Sequence, residues 1–424
     1  MPVENASTQD LIARRNRLLG PAYRLFYEQP VQIVRGEGVW LYDQAGNRYL
    51  DAYNNVACVG HCHPRVVEAI ARQAAELNTH TRYLHESILD YAERLLATFP
   101  AEIGNVMFTC TGSEANDLAL RVARTCTGGT GVIVTGTAYH GVTGALAELS
   151  PSLGLPEPTA AHVRLVPAPQ SAGDATGEIF AGHVRAAFDD MKRSGIRPAA
   201  LLVDTIFSSD GVFADPPGFL APAVEAAHAA GALFIADEVQ PGFGRCGEGL
   251  WGFARHGVIP DMVTMGKPMG NGHPVAAMAA RPALLKEFGA RSRYFNTFGG
   301  NPVSAAAATA VLDIIEQEGL VENAKRTGAY LREKLDALRS RHDLVAEVRG
   351  AGLFLGVELR RNGAPTGKEA AELVNALRAR HVLISAAGPG GNVLKIRPPL
   401  VFGTEHADLL VETLNQALLQ ISPA

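Results

Sequence analysis

The sequence predicts an α/β protein: a large domain on a mostly parallel, doubly wound sheet, with a small α+β domain built from both ends of the chain. Three observations carry this. Through the middle of the chain, short near-continuous apolar runs alternate with helical patterns, as in a parallel sheet buried on both faces. Near the start, residues 31–51 alternate in period two around Gly36 and Gly46. After Asn301 the pattern turns to long Ala/Leu-rich segments. The 424 residues are 47 % hydrophobic and 19 % charged, long enough for two to three domains and a sizeable core without disulfides.

In chain order, residues 31–51 predict a small antiparallel meander. CVGHCHP at 58–64 reads as a tight turn, with Gly60 giving backbone freedom and Pro64 opening a helix. Val106–Cys110 predicts a strand, followed by a helix through Ala115–Arg124. Gly128-Gly129-Thr130-Gly131 reads as a turn before a strand at Val132–Val134. A strand at Ala200–Asp204 precedes a helix from Phe219 to Ala230. Strands at Leu233–Asp237 and Met262–Met265 complete the central pattern, and right-handed crossovers wind it on both faces. Helices follow at 303–318 and 321–339, then a hairpin of Val345–Arg349 with Leu353–Glu358, a helix at 367–380 and a strand at 393–397. The division expected is 1–60 as the N-terminal part of the small domain, 61–300 as the large domain and 301–424 as the C-terminal part.

Composition narrows the function. With 38 basic and 43 acidic side chains the formal charge is −5, which argues against nucleic acid. No apolar run reaches the roughly eighteen residues of a membrane span. The N-terminus lacks a basic region followed by an apolar stretch, so no signal peptide is expected. Five cysteines, at 58, 62, 110, 126 and 246, form an odd, sparse set that suits a reduced, cytoplasmic protein. Cys58, His61, Cys62 and His63 invite a metal reading, but no second ligand pair follows at zinc spacing, and no metal is expected.

Four segments carry chemistry. Thr111-Gly112-Ser113-Glu114-Ala115-Asn116 follows a strand and opens a helix, where backbone N–H groups make an anion site; Ser113 is placed to cap the helix and offer its hydroxyl. Asp237-Glu238-Val239-Gln240 closes the strand Leu233–Asp237, and ligands in open α/β sheets sit at the carboxyl ends of strands. Gly266-Lys267-Pro268 follows Met262–Met265 and places an amine suited to Schiff-base chemistry; it lacks the Gly-rich lead and Ser/Thr of a nucleotide phosphate loop. Tyr139-His140-Gly141 offers an aromatic face for a flat ring. Each alone has an ordinary structural explanation: a capped helix, a surface acid, a surface lysine, a core aromatic. Together they form the inventory of a pyridoxal phosphate site, with an anchor for the phosphate, a face for the ring, an acid for the pyridinium and an amine for the aldehyde.

These residues resemble the class III aminotransferases, which have the fold type I of pyridoxal phosphate enzymes, over about residues 30–420. The matching landmarks are GSEAN at 112–116, YHG at 139–141, DEVQPGFGR at 237–245, GKPMGNGHPVAA at 266–277 and FNTFGGNPVSA at 295–305. The resemblance implies that Gly112 and Ser113 bind the cofactor phosphate, that Tyr139 stacks on the ring with Val239 on the opposite face, and that Asp237 holds the ring nitrogen. It places Gln240 near the ring hydroxyl and the cofactor aldehyde on Lys267. Thr297 would reach the phosphate of the neighbouring subunit, which implies an obligate homodimer with shared active sites.

A narrower similarity, in YNNVACVGHCHP at 53–64, RYLH at 82–85, YFNTFGGNP at 294–302 and LISAAGPGGNVLKIRPPLVF at 383–402, is to the ethanolamine-phosphate and phosphohydroxylysine phospho-lyases and related alanine–glyoxylate-type aminotransferases. It implies that CVGHCHP is a structural turn of that subgroup. Two departures matter. Asp204, in DTIFSSDG, stands where most class III members have Glu in EP(I/V)QGEGG. Arg397, in KIRPP, stands where the animal phospho-lyases carry Lys; its fork suits a carboxylate or a phosphate. Arg397 and Arg82 are the candidates for the substrate anion, and a surface or interface ion pair is the other reading of Arg82. The activity expected is phosphate elimination from a small amino-phosphate such as phosphoethanolamine, with an ω-amine or alanine–glyoxylate-type aminotransferase as the alternative. A cofactor-binding regulator is disfavoured, because some thirty residues before the first strand are too few for a DNA-binding module.

Overall fold

The computed structural model describes residues 7–154 and 160–421. Its centre is a seven-stranded sheet in the order Asn105–Thr109, Ala276–Ala280, Met262–Met265, Leu233–Asp237, Pro198–Asp204, Gly131–Thr135, Val163–Val166. Neighbouring strands are parallel except Ala276–Ala280, which runs antiparallel to both of its neighbours. The four inner parallel strands are buried, as their apolar runs require, while Val163–Val166 at the edge is partly exposed. Their carboxyl ends, at Thr135, Asp204, Asp237 and Met265, therefore share one edge of the sheet.

The strand Ala276–Ala280 has no counterpart in the sequence reading. Its residues, Ala-Ala-Met-Ala-Ala, carry no β-branched or aromatic signal, and packing alone makes them a strand. Helices Glu86–Leu96, Thr176–Arg193 and Thr404–Ile421, and the strand Val163–Val166, also emerge only in three dimensions.

The N-terminal meander consists of Ile33–Glu37, Trp40–Asp43 and Arg48–Asp51. Val382–Leu383 pairs in parallel with Arg48–Asp51, so this sheet joins segments from both ends of the chain. A second sheet, with Val345–Ala351, Phe354–Arg361, Val393–Ile396 and Ser385–Ala387, lies against helices Leu320–Arg339 and Gly367–Ala379, on which the helix Thr404–Ile421 packs. CVGHCHP is a turn with Gly60 at φ +99° and Cys62 at +51°. Pro64 is the first residue of the helix Pro64–Glu76. His61 is tied within the fold, its Nε2 lying 2.6 Å from Asp51 Oδ2. All five cysteines are unpaired. Among the described residues no helix is long and apolar enough to cross a membrane, and no cluster of side chains is arranged to hold a metal.

One correction concerns the helix that opens the anion site. It spans Gly112–Thr127, and Thr111, not Ser113, caps it. Thr111 Oγ1 accepts from Glu114 N at 3.1 Å while Glu114 Oε2 accepts from Thr111 N at 3.0 Å, a reciprocal capping box. The helix ends at Gly128 in the left-handed region (φ +66°), which is why Gly-Gly-Thr-Gly reads as a turn.

Close backbone packing holds the helix Leu320–Arg339 to the turn between the strands Val345–Ala351 and Phe354–Arg361. Gly328, inside the helix Leu320–Arg339, lies so close to the turn at Gly352 that an added Cβ would sit 2.1 Å from Gly352 O. The atoms met are all backbone of Gly352, with no flexible side-chain end among them, so the helix itself must move. Gly328→Ala is expected to destabilise the fold by about 3 kcal/mol, read as a lower midpoint in thermal or denaturant unfolding; an unchanged midpoint would contradict this packing.

Candidate active site

The helix Gly112–Thr127 begins at the carboxyl edge of the sheet. Its capping box satisfies Glu114 N, and Ala115 N bonds to Thr111 O, but the N–H groups of Gly112 and Ser113 have no protein acceptor among the described residues. Those N–H groups and the helix dipole favour an anion. Three glycines let chains crowd together here. A Cβ on Gly112 would lie 2.9 Å from Val239, one on Gly141 2.6 Å from Ser113 Oγ, and one on Gly266 3.2 Å from Gly112 N. Ser113, freed from capping, accepts from Val142 N at 3.2 Å and so fastens the Tyr139 loop to the helix start.

Asp237 ends the Leu233–Asp237 strand and is buried. Its Oδ2 accepts from Asn116 Nδ2 at 2.9 Å and lies 2.7 Å from His140 Nδ1; its Oδ1 accepts from Val239 N at 3.1 Å. Asn116 is itself oriented: it donates to His140 O at 2.9 Å and accepts from Thr264 Oγ1 at 2.6 Å. A carboxylate only accepts, so His140 presents Nδ1–H to it, leaving a buried Nε2 without a partner. Glu238 points elsewhere. It binds Thr205 Oγ1 and the N–H groups of Gly252 and Phe253, and burial raises its pKa to about 7. The adjacent acids thus divide, one facing the cleft and one bracing the loop beyond.

Lys267 sits just past the Met262–Met265 strand, at φ +32°, an unusual conformation for a lysine and of the kind that concentrates at functional sites. Its Nζ is 5.9 Å from the centre of the Tyr139 ring. Burial, then the nearby Arg397 cation, lower the amine pKa to about 8, against the pull of Asp237 and Asp204. Tyr139 keeps one side open at 37 % exposure, while Val239 is buried. Gly112, Ser113, Tyr139, Asp237, Val239, Gln240 and Lys267 line one cleft, joined by Asn116, His140 and Gly141. The cleft offers free N–H donors at one end, a carboxylate, an amine, and an aromatic and an aliphatic wall. That donor set fits pyridoxal phosphate.

Gln240 Oε1 accepts from Arg397 Nη1, and from Asn55 Nδ2 at 3.2 Å. Arg397 is buried, donates from Nε to Tyr53 O at 2.9 Å and lies 4.7 Å from the Tyr53 ring centre. Asp204 pairs in register with Asp237 and accepts from Ile206 N and Ser208 N. Burial, then Asp237, push its carboxyl pKa up. Two expected residues do not reach the cleft within one chain. Arg82 is exposed, over the Phe295 ring at 3.8 Å, and Thr297 is exposed in the turn that follows.

Asn116, His140 and Thr264 are the residues the sequence left without a role. Asn116 and His140 stand inside the GSEAN and YHG landmarks, but their common partner Asp237 is 121 and 97 positions away.

Residues 26–418 match the model of the aminotransferase class-III family. A Drosophila melanogaster protein named alanine–glyoxylate aminotransferase 2-like is 41 % identical over 99 % of this chain and 88 % of its own length. The Caenorhabditis elegans ethanolamine-phosphate phospho-lyase homolog 1 is 36 % identical over 97 % of this chain and 94 % of its own. Among solved structures, an Arthrobacter phospholyase in complex with phosphoethanolamine superposes with a TM-score of 0.93 at 45 % identity, covering 96 % of this chain and 99 % of the other. The chain belongs to the class III aminotransferase family. It is accordingly a pyridoxal-phosphate-dependent enzyme with the family's fold type I.

Because an amine reacts with an aldehyde only when neutral, protein freed of cofactor should recombine with pyridoxal phosphate at a rate that rises with pH through about 8 and levels off above it. Stopped-flow absorbance across pH 6 to 11, roughly the span from full protonation to the pKa of an unperturbed lysine, measures this. A rate still climbing at the top of that span would contradict the environment described for Lys267.

Proposed function

We propose that the protein is a phospho-lyase that eliminates phosphate from a small amino-phosphate such as phosphoethanolamine, giving an aldehyde, ammonia and phosphate. The observation behind an anionic substrate is the buried Arg397 guanidinium beside Lys267, held by a carbonyl and an amide but no carboxylate among the described residues. The extent of similarity to the Arthrobacter phospholyase supports the phospho-lyase reading. The 41 % identity to a relative named as an aminotransferase favours the second reading, a class III aminotransferase taking an ω-amine or alanine.

In this reading Gly112 and Ser113 hold the cofactor phosphate, joined by Thr297 of a second copy, so that the working unit is a homodimer. Tyr139 and Val239 flank the ring, Asp237 holds its nitrogen, and Gln240 stands by its hydroxyl while bracing Arg397. Arg397 and Arg82 attract the substrate anion, Arg82 from across the dimer. With its cysteines unpaired, the protein suits a reducing cytoplasm.

Bound pyridoxal phosphate supplies an aldehyde that captures the substrate amine and a ring that draws electrons from the amine-bearing carbon. Asp237, fixed by Asn116, His140 and Val239 N, keeps the ring nitrogen protonated. Lys267, its amine released, is the general base that takes the proton from that carbon. Arg397 holds the phosphate, which departs with the electrons of its C–O bond; water then releases aldehyde and ammonia. In the aminotransferase reading, Lys267 instead returns the proton to the cofactor side.

Incubation with phosphoethanolamine should release phosphate and acetaldehyde in equal amounts, and Lys267→Ala should abolish both together with the visible absorbance of the attached cofactor. No phosphate release, with pyridoxamine phosphate accumulating from alanine, would select the aminotransferase. Thr297→Ala should lower cofactor affinity by about tenfold, the effect of losing one charge-assisted hydrogen bond; unchanged retention on dialysis would remove the second copy from the phosphate site.

A further inference from the structure

A second buried cation lies on the strand that leads to Arg397. Side chains alternate along a strand, so Val393, Lys395 and Arg397 share one face while Leu394 and Ile396 fill the core on the other. Lys395 is buried. Its register partners are Gly356 and Ser385, the first without a side chain and the second small. Its Nζ donates to Ser208 O at 3.0 Å. No carboxylate pairs with Lys395 or Arg397 among the described residues. The two acids nearby are engaged: Asp204 by Ile206 N and Ser208 N, Asp210 by the Thr135 and Thr137 hydroxyls and Thr137 N. The surrounding polar atoms have spare capacity, since Ser208 Oγ, Ser385 Oγ and Asn55 Oδ1 are buried without partners.

Buried charges in proteins are paired, because an isolated one loses its hydration with nothing in return. Here two cations stand at alternate positions, about 7 Å apart along the strand. Burial, then repulsion from Arg397, lower the Lys395 amine pKa to about 7, with Lys267 adding to the repulsion and Asp204 and Asp210 opposing it. An arriving anion reverses that balance and restores the full charge. A carboxylate brings one negative charge; a phosphate monoester brings two.

We propose that Lys395 is a specificity-determining residue that acts with Arg397 to favour a dianionic phosphate or phosphonate over a monoanionic carboxylate on the substrate amine. The inference rests on the phosphate-ester reading of this site and assigns its selectivity to a second residue. Lys395 lies two positions before Arg397 on the same face and supplies the charge that matches the second negative charge.

The test uses the cofactor-loaded enzyme and two amines that cannot lose phosphate: 2-aminoethylphosphonate, a dianion whose C–P bond resists elimination, and β-alanine, a monoanion. Binding is followed by cofactor absorbance, and phosphate release from phosphoethanolamine is measured in parallel. Lys395→Met should weaken the phosphonate by about tenfold or more while leaving β-alanine within about twofold, and Lys395→Arg should keep most of the phosphonate affinity. Unchanged phosphonate binding in Lys395→Met, equal losses for both ligands, or a loss in Lys395→Arg as large as in Lys395→Met would overturn the assignment. A wild-type enzyme that releases no phosphate would overturn the phospho-lyase reading itself, a result separate from any variant.

Discussion

The site is organised around one carboxylate. Asp237 closes a strand at the middle of the central sheet and receives hydrogen bonds from Asn116, His140 and its own neighbour Val239. Each donor comes from a different stretch of chain, so fixing this group also fixes the helix start at Gly112, the loop at Tyr139 and the turn at Val239. The helix-start end and both walls of the cleft thus take their positions from this one acid. A preorganised acceptor of this kind needs no rearrangement when charge develops beside it.

Parallel topology makes this convergence possible. Strands running the same way deliver their carboxyl ends to one edge, so residues far apart in sequence meet there without long loops. Lys267 arrives from the next strand over from Asp237, and Asp204 from the strand on its other side. The C-terminal segment adds Arg397, braced by Tyr53 and Gln240. The cleft lining therefore sits at the edge of the large sheet, while Arg397 and Tyr53 come from segments nearer the two ends of the chain.

Much of this was legible in the sequence for a physical reason. Gly112, Ser113, Tyr139, Asp237, Val239, Gln240 and Lys267 directly follow apolar runs that read as strands, or open a helix, and strand ends are where ligands bind. The strands at Leu233–Asp237 and Met262–Met265 match their predicted bounds because their apolar runs stop at Asp237 and Gly266. Legibility fails where a property belongs to a pair. Thr264 looks like an interior strand residue until Asn116, 148 positions away, is found accepting from it. Alanine-rich Ala276–Ala280 is a strand only because two neighbours claim it. Ser113 loses the helix cap to Thr111 because the box needs an acid three residues on, and only Thr111 has Glu114 there. Arg82 and Thr297 stay outside the cleft of a single chain, so one fold cannot display the roles their motifs imply.

The parallel ladder between Arg48–Asp51 and Val382–Leu383 has a consequence for biosynthesis. The meander leaves the ribosome early but cannot complete its sheet until more than three hundred further residues have followed. Arg397 and its brace at Tyr53 meet later still. Every residue lining the cleft, from Gly112 to Lys267, is therefore synthesised before the guanidinium that stands beside it, which arrives only near the end of the message.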